Sequence, residues 1–177
     1  MGEIKSTLDI VMEKTKHLTL SKKEKQHQKN KEAKQNLSGL LQKYQDTLIN
    51  FERLKDMLKE LQESYDYIDT QTVVREVLAR IDLDHDNTSL IIILDKIGHV
   101  DTGNLKKVLS DYRDTVRIER NKSSDQAKEK LANEYHISGT AVLPIIATDD
   151  KLRAYLLHIR TEFLQRLNRE KASLAKE

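Results

Sequence analysis

Apolar and aromatic residues recur every seven positions between Leu37 and Ile68. The first row consists of Leu37, Tyr44, Phe51, Leu58 and Tyr65, and the second consists of Leu40, Leu54, Leu61 and Ile68. Two rows with this spacing lie on one face of a helix and form a seam that packs against another helix. The pattern therefore predicts a helical region that needs a helical partner.

The middle of this region contains residues that are unfavourable inside a helix. Thr47 and Ile49 are β-branched, and Asn50, which follows them, is a good residue to cap the start of a helix. Two arrangements are open: one continuous helix, or a hairpin that turns near residues 46–49 and starts its second helix at Phe51. Both keep the same apolar faces, and the residues at the turn favour the hairpin.

Two further apolar stripes lie near the ends of the sequence. The first consists of Ile4, Leu8 and Val11, and the last begins with Leu152, Leu156, Ile159 and Phe163. Steps of three and four residues place each set on one side of an amphipathic helix. We predict that these two stripes are interaction surfaces, which pack on the rest of the chain or bind a second copy or another helical protein.

The remaining pattern also predicts helices. Val73 to Ile81 and Leu105 to Val116 carry helical stripes, and Gly139 is a predicted helix stop. Residues 90–94 are apolar on all sides, which fits a buried helix, with a strand as the alternative. Pro144 disfavours helix at the residue before it and predicts an extended segment.

These elements predict an all-α protein, an antiparallel helical bundle with long coiled-coil-like N- and C-terminal helices. The predicted organisation is an amphipathic helix followed by a Lys-rich polar helix at 1–35, a helical core at 36–137, an extended linker at 138–147 and an amphipathic helix at 148–177. The composition agrees, because 177 residues with only five Gly and one Pro provide few of the residues that tight turns require.

The composition also bears on location. The chain has no Cys, which excludes disulfides and thiolate metal sites. Its longest apolar run, 90–94, is far shorter than the ~20 residues of a membrane span. Glu3 and Asp9 near the start, without a basic segment before an apolar run, do not match a secretory signal. We expect a cytoplasmic protein with no membrane association.

Charge is distributed unevenly along the chain. Residues 14–34 contain eight Lys and two Glu, a net charge of +6, whereas residues 44–101 contain thirteen acids and six Lys or Arg, a net charge of −7. Lys22, Lys25 and Lys29 share a helix face and are candidate phosphate contacts. The basic segment has no Arg and no aromatic residue, so any binding of nucleic acid would be nonspecific. A solvated helix is the simpler interpretation.

Three sets of polar residues have spacings that metal sites use. Asp82, Asp84 and Asp86 match the first positions of a calcium loop, but Asn87 and Ile93 stand where Gly and a bidentate Glu are needed. An acidic turn that caps the next helix is therefore the preferred interpretation. The other sets are Asp95 with His99, near His85, and the single pair Glu24 and His27.

The sequence contains no nucleophile elbow, no phosphate-binding glycine loop and no dinucleotide motif. We therefore predict no catalytic residues, no cofactor and no metal. The predicted function is a non-catalytic protein-protein interaction or homo-oligomerisation module. The alternative is nonspecific nucleic-acid binding through residues 14–34.

Overall fold

The computed structural model describes residues 21–145 and 149–175, and within these ranges all regular secondary structure is helical. The helices are α1 (Lys22–Gln45), α2 (Phe51–Ser64), α3 (Thr70–Arg80), α4 (Thr88–Ile93), a π-helical turn (Leu94–Gly98), α5 (Gly103–Tyr135) and α6 (Asp150–Leu174). The all-α prediction is confirmed, and the strand alternative for residues 90–94 is wrong. None of the described helices is long and apolar enough to cross a membrane.

The chain divides into two compact units between Asp69 and Thr70. Unit 1 contains α1 and α2, and unit 2 contains α3 to α6 with the π-helical turn. The boundary falls inside the region 36–137 that the sequence suggested as a single core.

Unit 1 is an antiparallel helical hairpin. At its closed end the rings of Tyr44 and Phe51 lie 6.3 Å apart, and at its open end the Asn36 side-chain amide donates to the Tyr65 hydroxyl at 3.2 Å. Five residues of the predicted rows are buried: Leu37, Leu40, Leu54 and Leu58 on the two helices, and Ile68 just after α2.

The hairpin turns where the sequence favoured a break. Asn50 has extended backbone, and its side-chain oxygen accepts from the Arg53 N–H at 2.9 Å, which caps the start of α2. Thr47 takes a left-handed conformation (φ 57°), which ends α1 and reverses the chain. The hairpin arrangement is therefore confirmed.

The start of α1 is held by a capping box. The Ser21 hydroxyl accepts from the Glu24 N–H at 3.2 Å, and the Glu24 carboxylate accepts from the Ser21 N–H at 2.7 Å. These bonds to Ser21 lower the pKa of Glu24. Ala33 is buried, but most of α1 before it is exposed.

In unit 2, α3 packs against α4 and the π-helical turn. The two elements are in close contact at Gly98, where an added Cβ would lie 2.7 Å from a methyl group of Val74. Only glycine fits this position without a shift of the Val74 side chain. His99 follows in a left-handed conformation (φ 52°) and ends the turn.

The long helices α5 and α6 pack along each other, with the rings of Tyr112 and Phe163 5.6 Å apart. Helix α5 continues without a break through residues 117–130, where the apolar pattern fades. It ends at Tyr135, with His136 in a left-handed conformation, so the predicted stop at Gly139 is wrong by three residues. Helix α6 begins where Asp149 accepts from two backbone N–H groups.

Candidate interaction surfaces

Half of the predicted seam on α6 is occupied within the chain. Ile159 and Phe163 are buried, and Phe163 packs on Tyr112 of α5, whereas Leu152 and Leu156 are half-buried. The other predicted stripe, Ile4, Leu8 and Val11, lies outside the described residues. The buried part of the α6 stripe thus holds unit 2 together.

Other apolar side chains of unit 2 face solvent instead. On α6, Tyr155 is 49% exposed, Leu157 is 62% exposed and Leu164 is 36% exposed. Leu157 and Leu164 are seven residues apart, so they share a helix face different from that of the buried stripe. The sequence analysis did not predict this exposed face. The signal for it in the sequence is the presence of leucines on α6 that lie outside the main apolar stripe.

The end of α5 and the connection that follows it expose a second group of apolar residues. It consists of Tyr135, Ile137, Leu143 and Ile145, and Leu143 and Ile145 are 83% and 80% exposed. Single exposed apolar residues are ordinary in proteins, so it is the grouping of several in one region that makes this region a candidate contact surface. We call these four residues together with Tyr155, Leu157 and Leu164 the apolar surface of unit 2.

The lysines of α1 form the second candidate surface. Lys22, Lys25 and Lys29 are exposed and recur at steps of three and four, which places them on one helix face. Among the described residues, none of these three lysines forms an ion pair with a carboxylate. The nearest acid in sequence, Glu24, is bonded to the backbone of Ser21.

The acidic turn between α3 and α4 is bonded to itself. Asp82 accepts from the N–H groups of Asp84 and His85, each at 2.8 Å, and its other oxygen lies 2.8 Å from His85 Nδ1. Partial burial raises the pKa of Asp82, but these bonds outweigh burial, and the pKa is lowered. Asp86 accepts from the Thr88 hydroxyl and N–H, which lowers its pKa as well.

The side chain of Asp84 bonds to residues outside the turn and so connects the turn to α5 and α6. One of its oxygens accepts from Arg160 Nη2 at 2.8 Å and Nε at 3.1 Å, and the other accepts from the Tyr112 hydroxyl at 3.1 Å. The Arg160 guanidinium is the main cause of the lowered pKa of Asp84. Elsewhere on α6, the Lys171 ammonium donates to the Ile81 carbonyl, and partial burial lowers the pKa of Lys171.

The pair Asp95 and His99 is not brought together as a site. Asp95 accepts from the Thr102 hydroxyl and, at 2.7 Å, from the Lys106 ammonium. Partial burial raises the pKa of Asp95, but Lys106 and Thr102 outweigh this effect and lower it. Among the described residues, no group of three or more His, Asp or Glu is arranged to hold a metal ion. Asp95 thus ties the π-helical turn to the start of α5.

The candidate surfaces are therefore the apolar surface of unit 2 and the lysine face of α1. Comparison with known proteins adds no assignment, because no protein-family model, curated protein or solved structure matches the chain.

Proposed function

We propose that this protein is a non-catalytic helical module that assembles with a second copy of itself through the apolar surface of unit 2. The observation that carries the proposal is the exposure of large apolar side chains on α6 and on the connection before it. In water this exposure is unfavourable, at roughly 25 cal/mol for each Å² of apolar area. Contact between two copies would remove part of that area from water.

A second copy is the occupant that this surface favours. In a two-fold dimer each patch meets the same patch of the other copy, so an apolar surface is complementary to itself without matched charges. Leu157 and Leu164 also have the seven-residue spacing that lets two helices pack along a seam. A different helical protein that presents an apolar face is the alternative occupant.

The test is light scattering behind a sizing column over a range of protein concentrations. We expect a species with twice the mass of the chain, and Leu143→Ser with Leu157→Ser should shift it to a monomer. Leu48→Ser is the matched control, because Leu48 is 72% exposed but belongs to unit 1. A monomer at every concentration, or a dimer that the double variant leaves intact, would refute self-association through this surface.

A cytoplasmic location is part of this proposal. The sequence is compatible with it, because a chain without Cys needs no oxidising compartment to form disulfides. Fractionation of cells that express the tagged protein tests the location, and recovery with membranes or in the medium would contradict it.

Nonspecific binding of nucleic acid is the second candidate function, and the exposed lysine face of α1 favours it. Lys22, Lys25 and Lys29 can approach phosphates without first breaking an ion pair to a described carboxylate. Binding of this kind releases counterions, so affinity falls steeply as salt rises.

The experiment compares two triple variants that change the net charge equally. Lys22→Glu, Lys25→Glu and Lys29→Glu should abolish binding to duplex DNA at low salt. Changing the exposed Lys107, Lys122 and Lys151 to Glu is the control and should retain most of it. Equal losses in both variants would mean that net charge alone matters, and no binding by the unchanged protein would remove this candidate.

A further inference from the structure

A cleft of about 370 Å³ lies between the turn after α3 and one face of α5. Leu83 and Asp84 contribute from the turn, and α5 contributes a row of three arginines, Arg113, Arg117 and Arg120. We call this feature the arginine cleft. It lies within unit 2 and is built from residues separate from the apolar surface.

Helical spacing brings the three arginines to the cleft. They stand four and three residues apart, which puts them on the same face of α5 over about 10 Å of helix length. The other lining residues include Leu83, Tyr112 and Val116, which are largely apolar. Leu83 is 3% exposed, Tyr112 is 8% exposed and Val116 is half-buried. The guanidinium groups therefore stand at the edge of a surface from which water is partly excluded.

The carboxylate that lines the cleft is already neutralised. Both oxygens of Asp84 accept hydrogen bonds, one from Tyr112 and the other twice from Arg160. Asp84 therefore provides little attraction for the three arginines of the cleft.

The arginines themselves are only partly compensated. Arg117 pairs with Asp114 at 2.8 Å, but that pair is exposed on the same helix and is worth little in water. Neither Arg113 nor Arg120 forms an ion pair with a carboxylate of the described chain, and Asp86 acts on Arg113 only at longer range. Three guanidinium groups and one weakly held Asp114 leave this site with excess positive charge.

We propose that the arginine cleft binds a small ligand that carries two or more linked phosphate groups. Guanidinium groups bind phosphate oxygens through paired N–H donors, so Arg is well suited to this chemistry. A row about 10 Å long matches several linked anionic groups better than one carboxylate. The backbone of a nucleic-acid strand also carries linked phosphate groups, but the volume of the cleft, about 370 Å³, favours a small molecule.

The test measures binding of inorganic triphosphate to the full-length chain by calorimetry at low salt. We expect binding that weakens with salt and that falls at least tenfold in Arg113→Gln with Arg120→Gln, since two charge-assisted contacts are lost. Arg169→Gln is the matched control, because Arg169 is exposed on α6 and does not line the cleft. Arg120→Lys keeps the positive charge but loses the paired N–H donors of the guanidinium group, so we expect an affinity between those of the unchanged protein and the double variant.

Three results would overturn the proposal. The first is no heat of binding with triphosphate up to millimolar concentration, and the second is the same affinity in the double variant as in the Arg169→Gln control. In the third, a single-stranded oligonucleotide binds and loses binding in the double variant while triphosphate does not bind. That result would assign the arginines to a nucleic-acid backbone.

Discussion

In the turn between α3 and α4, the buried amide of Asn87 makes three hydrogen bonds in addition to those of Asp82 and Asp86. This side chain is 1% exposed, accepts from the Asp82 N–H at 3.2 Å and donates to the Asp82 and His85 carbonyls at 2.6 and 3.1 Å. The sequence pattern of this turn is acidic, but its buried polar side chain is an amide that bonds to the backbone of Asp82 and His85.

Asn87→Ala should destabilise the protein by about 1–3 kcal/mol, because buried backbone groups would lose their partners. Urea unfolding monitored by circular dichroism measures the change. Asn168→Ala on the exposed side of α6 is the control and should stay within about 0.5 kcal/mol. An Asn87 variant as stable as this control would show that water replaces the amide.

The ion pair between Asp84 and Arg160 gives a stability that depends on pH. The Arg160 guanidinium lowers the pKa of Asp84 in the folded state below its ordinary value of 3.8. A lowered pKa contributes stability that is fully present above the ordinary pKa and is lost as the pH falls through the folded value. Arg160→Met should therefore reduce the melting temperature at pH 7, and the difference should shrink below pH 4.

Arg169→Met is the control for that comparison, because Arg169 lies exposed on the same helix. At pH 7 and at pH 3, its melting temperature should be close to that of the unchanged protein. A deficit in Arg160→Met that is as large at pH 3 as at pH 7 would mean that the arginine stem, and not its charge, contributes the stability.

Gly98 is required by packing rather than by its backbone angles. Gly98→Ala should destabilise the protein by about 1–3 kcal/mol, because the new methyl group would lie 2.7 Å from Val74. Val74→Ala removes that neighbour, so the double variant should lose less stability than the sum of the two single changes. Urea unfolding of all four proteins measures this coupling, and strict additivity would contradict the contact.

At the scale of the helices, local signals in the sequence were reliable. The spacing of Ser21 and Glu24 in the sequence is that of a capping box, and Asn50 favoured a break between two helices; both features are present in the structure. These signals work because a cap acts through hydrogen bonds within one turn of helix. No distant residue is needed for them.

Other features of the helices depend on residues far apart in sequence and could not be predicted. The period of the α6 stripe identified a buried face, but it could not show that Phe163 packs on Tyr112 rather than on a partner. Asp84 and Arg160 are 76 positions apart, and no local pattern connects them. The spacing of the three cleft arginines is local, but the cleft could not be predicted, because Leu83 and Asp84 line it together with α5 only after the chain folds.

Helix α5 shows a different limit of apolar periodicity. Its charged segment stays helical although its stripe fades, and spaced ion pairs run along it, such as Arg117 with Asp114 and Lys130 with Glu134. Each such pair adds only a few tenths of a kcal/mol to an exposed helix. The period of apolar residues alone therefore underestimates the length of a helix that continues through a charged, exposed segment.

Two leucines on α6 separate the stabilising face from the proposed binding face. Leu167→Ala should destabilise the protein by about 2–5 kcal/mol, because Leu167 is fully buried. Leu157→Ala should change the stability of the monomer by less than about 0.5 kcal/mol, because Leu157 is 62% exposed. Urea unfolding at low protein concentration compares them, and similar losses in both variants would contradict the assigned faces.

At the scale of the whole molecule, the contacts that close unit 2 come from its own residues. Val74 packs on Gly98, Phe163 packs on Tyr112, and Arg160 bonds to Asp84. A segment with its own core can fold alone when its buried residues stay covered. We therefore expect residues 70–177, expressed alone, to give a helical protein that unfolds cooperatively.

The same fragment also locates the proposed function. It retains the apolar surface but lacks α1 and α2, so it should form the same dimer as the full chain, whereas the lysine-dependent binding of nucleic acid should be lost. Circular dichroism checks the fold first, and light scattering and a DNA titration then follow. A folded fragment that stays monomeric while the full chain dimerises would place the self-association in unit 1, and an unfolded fragment would show that unit 2 depends on the rest of the chain.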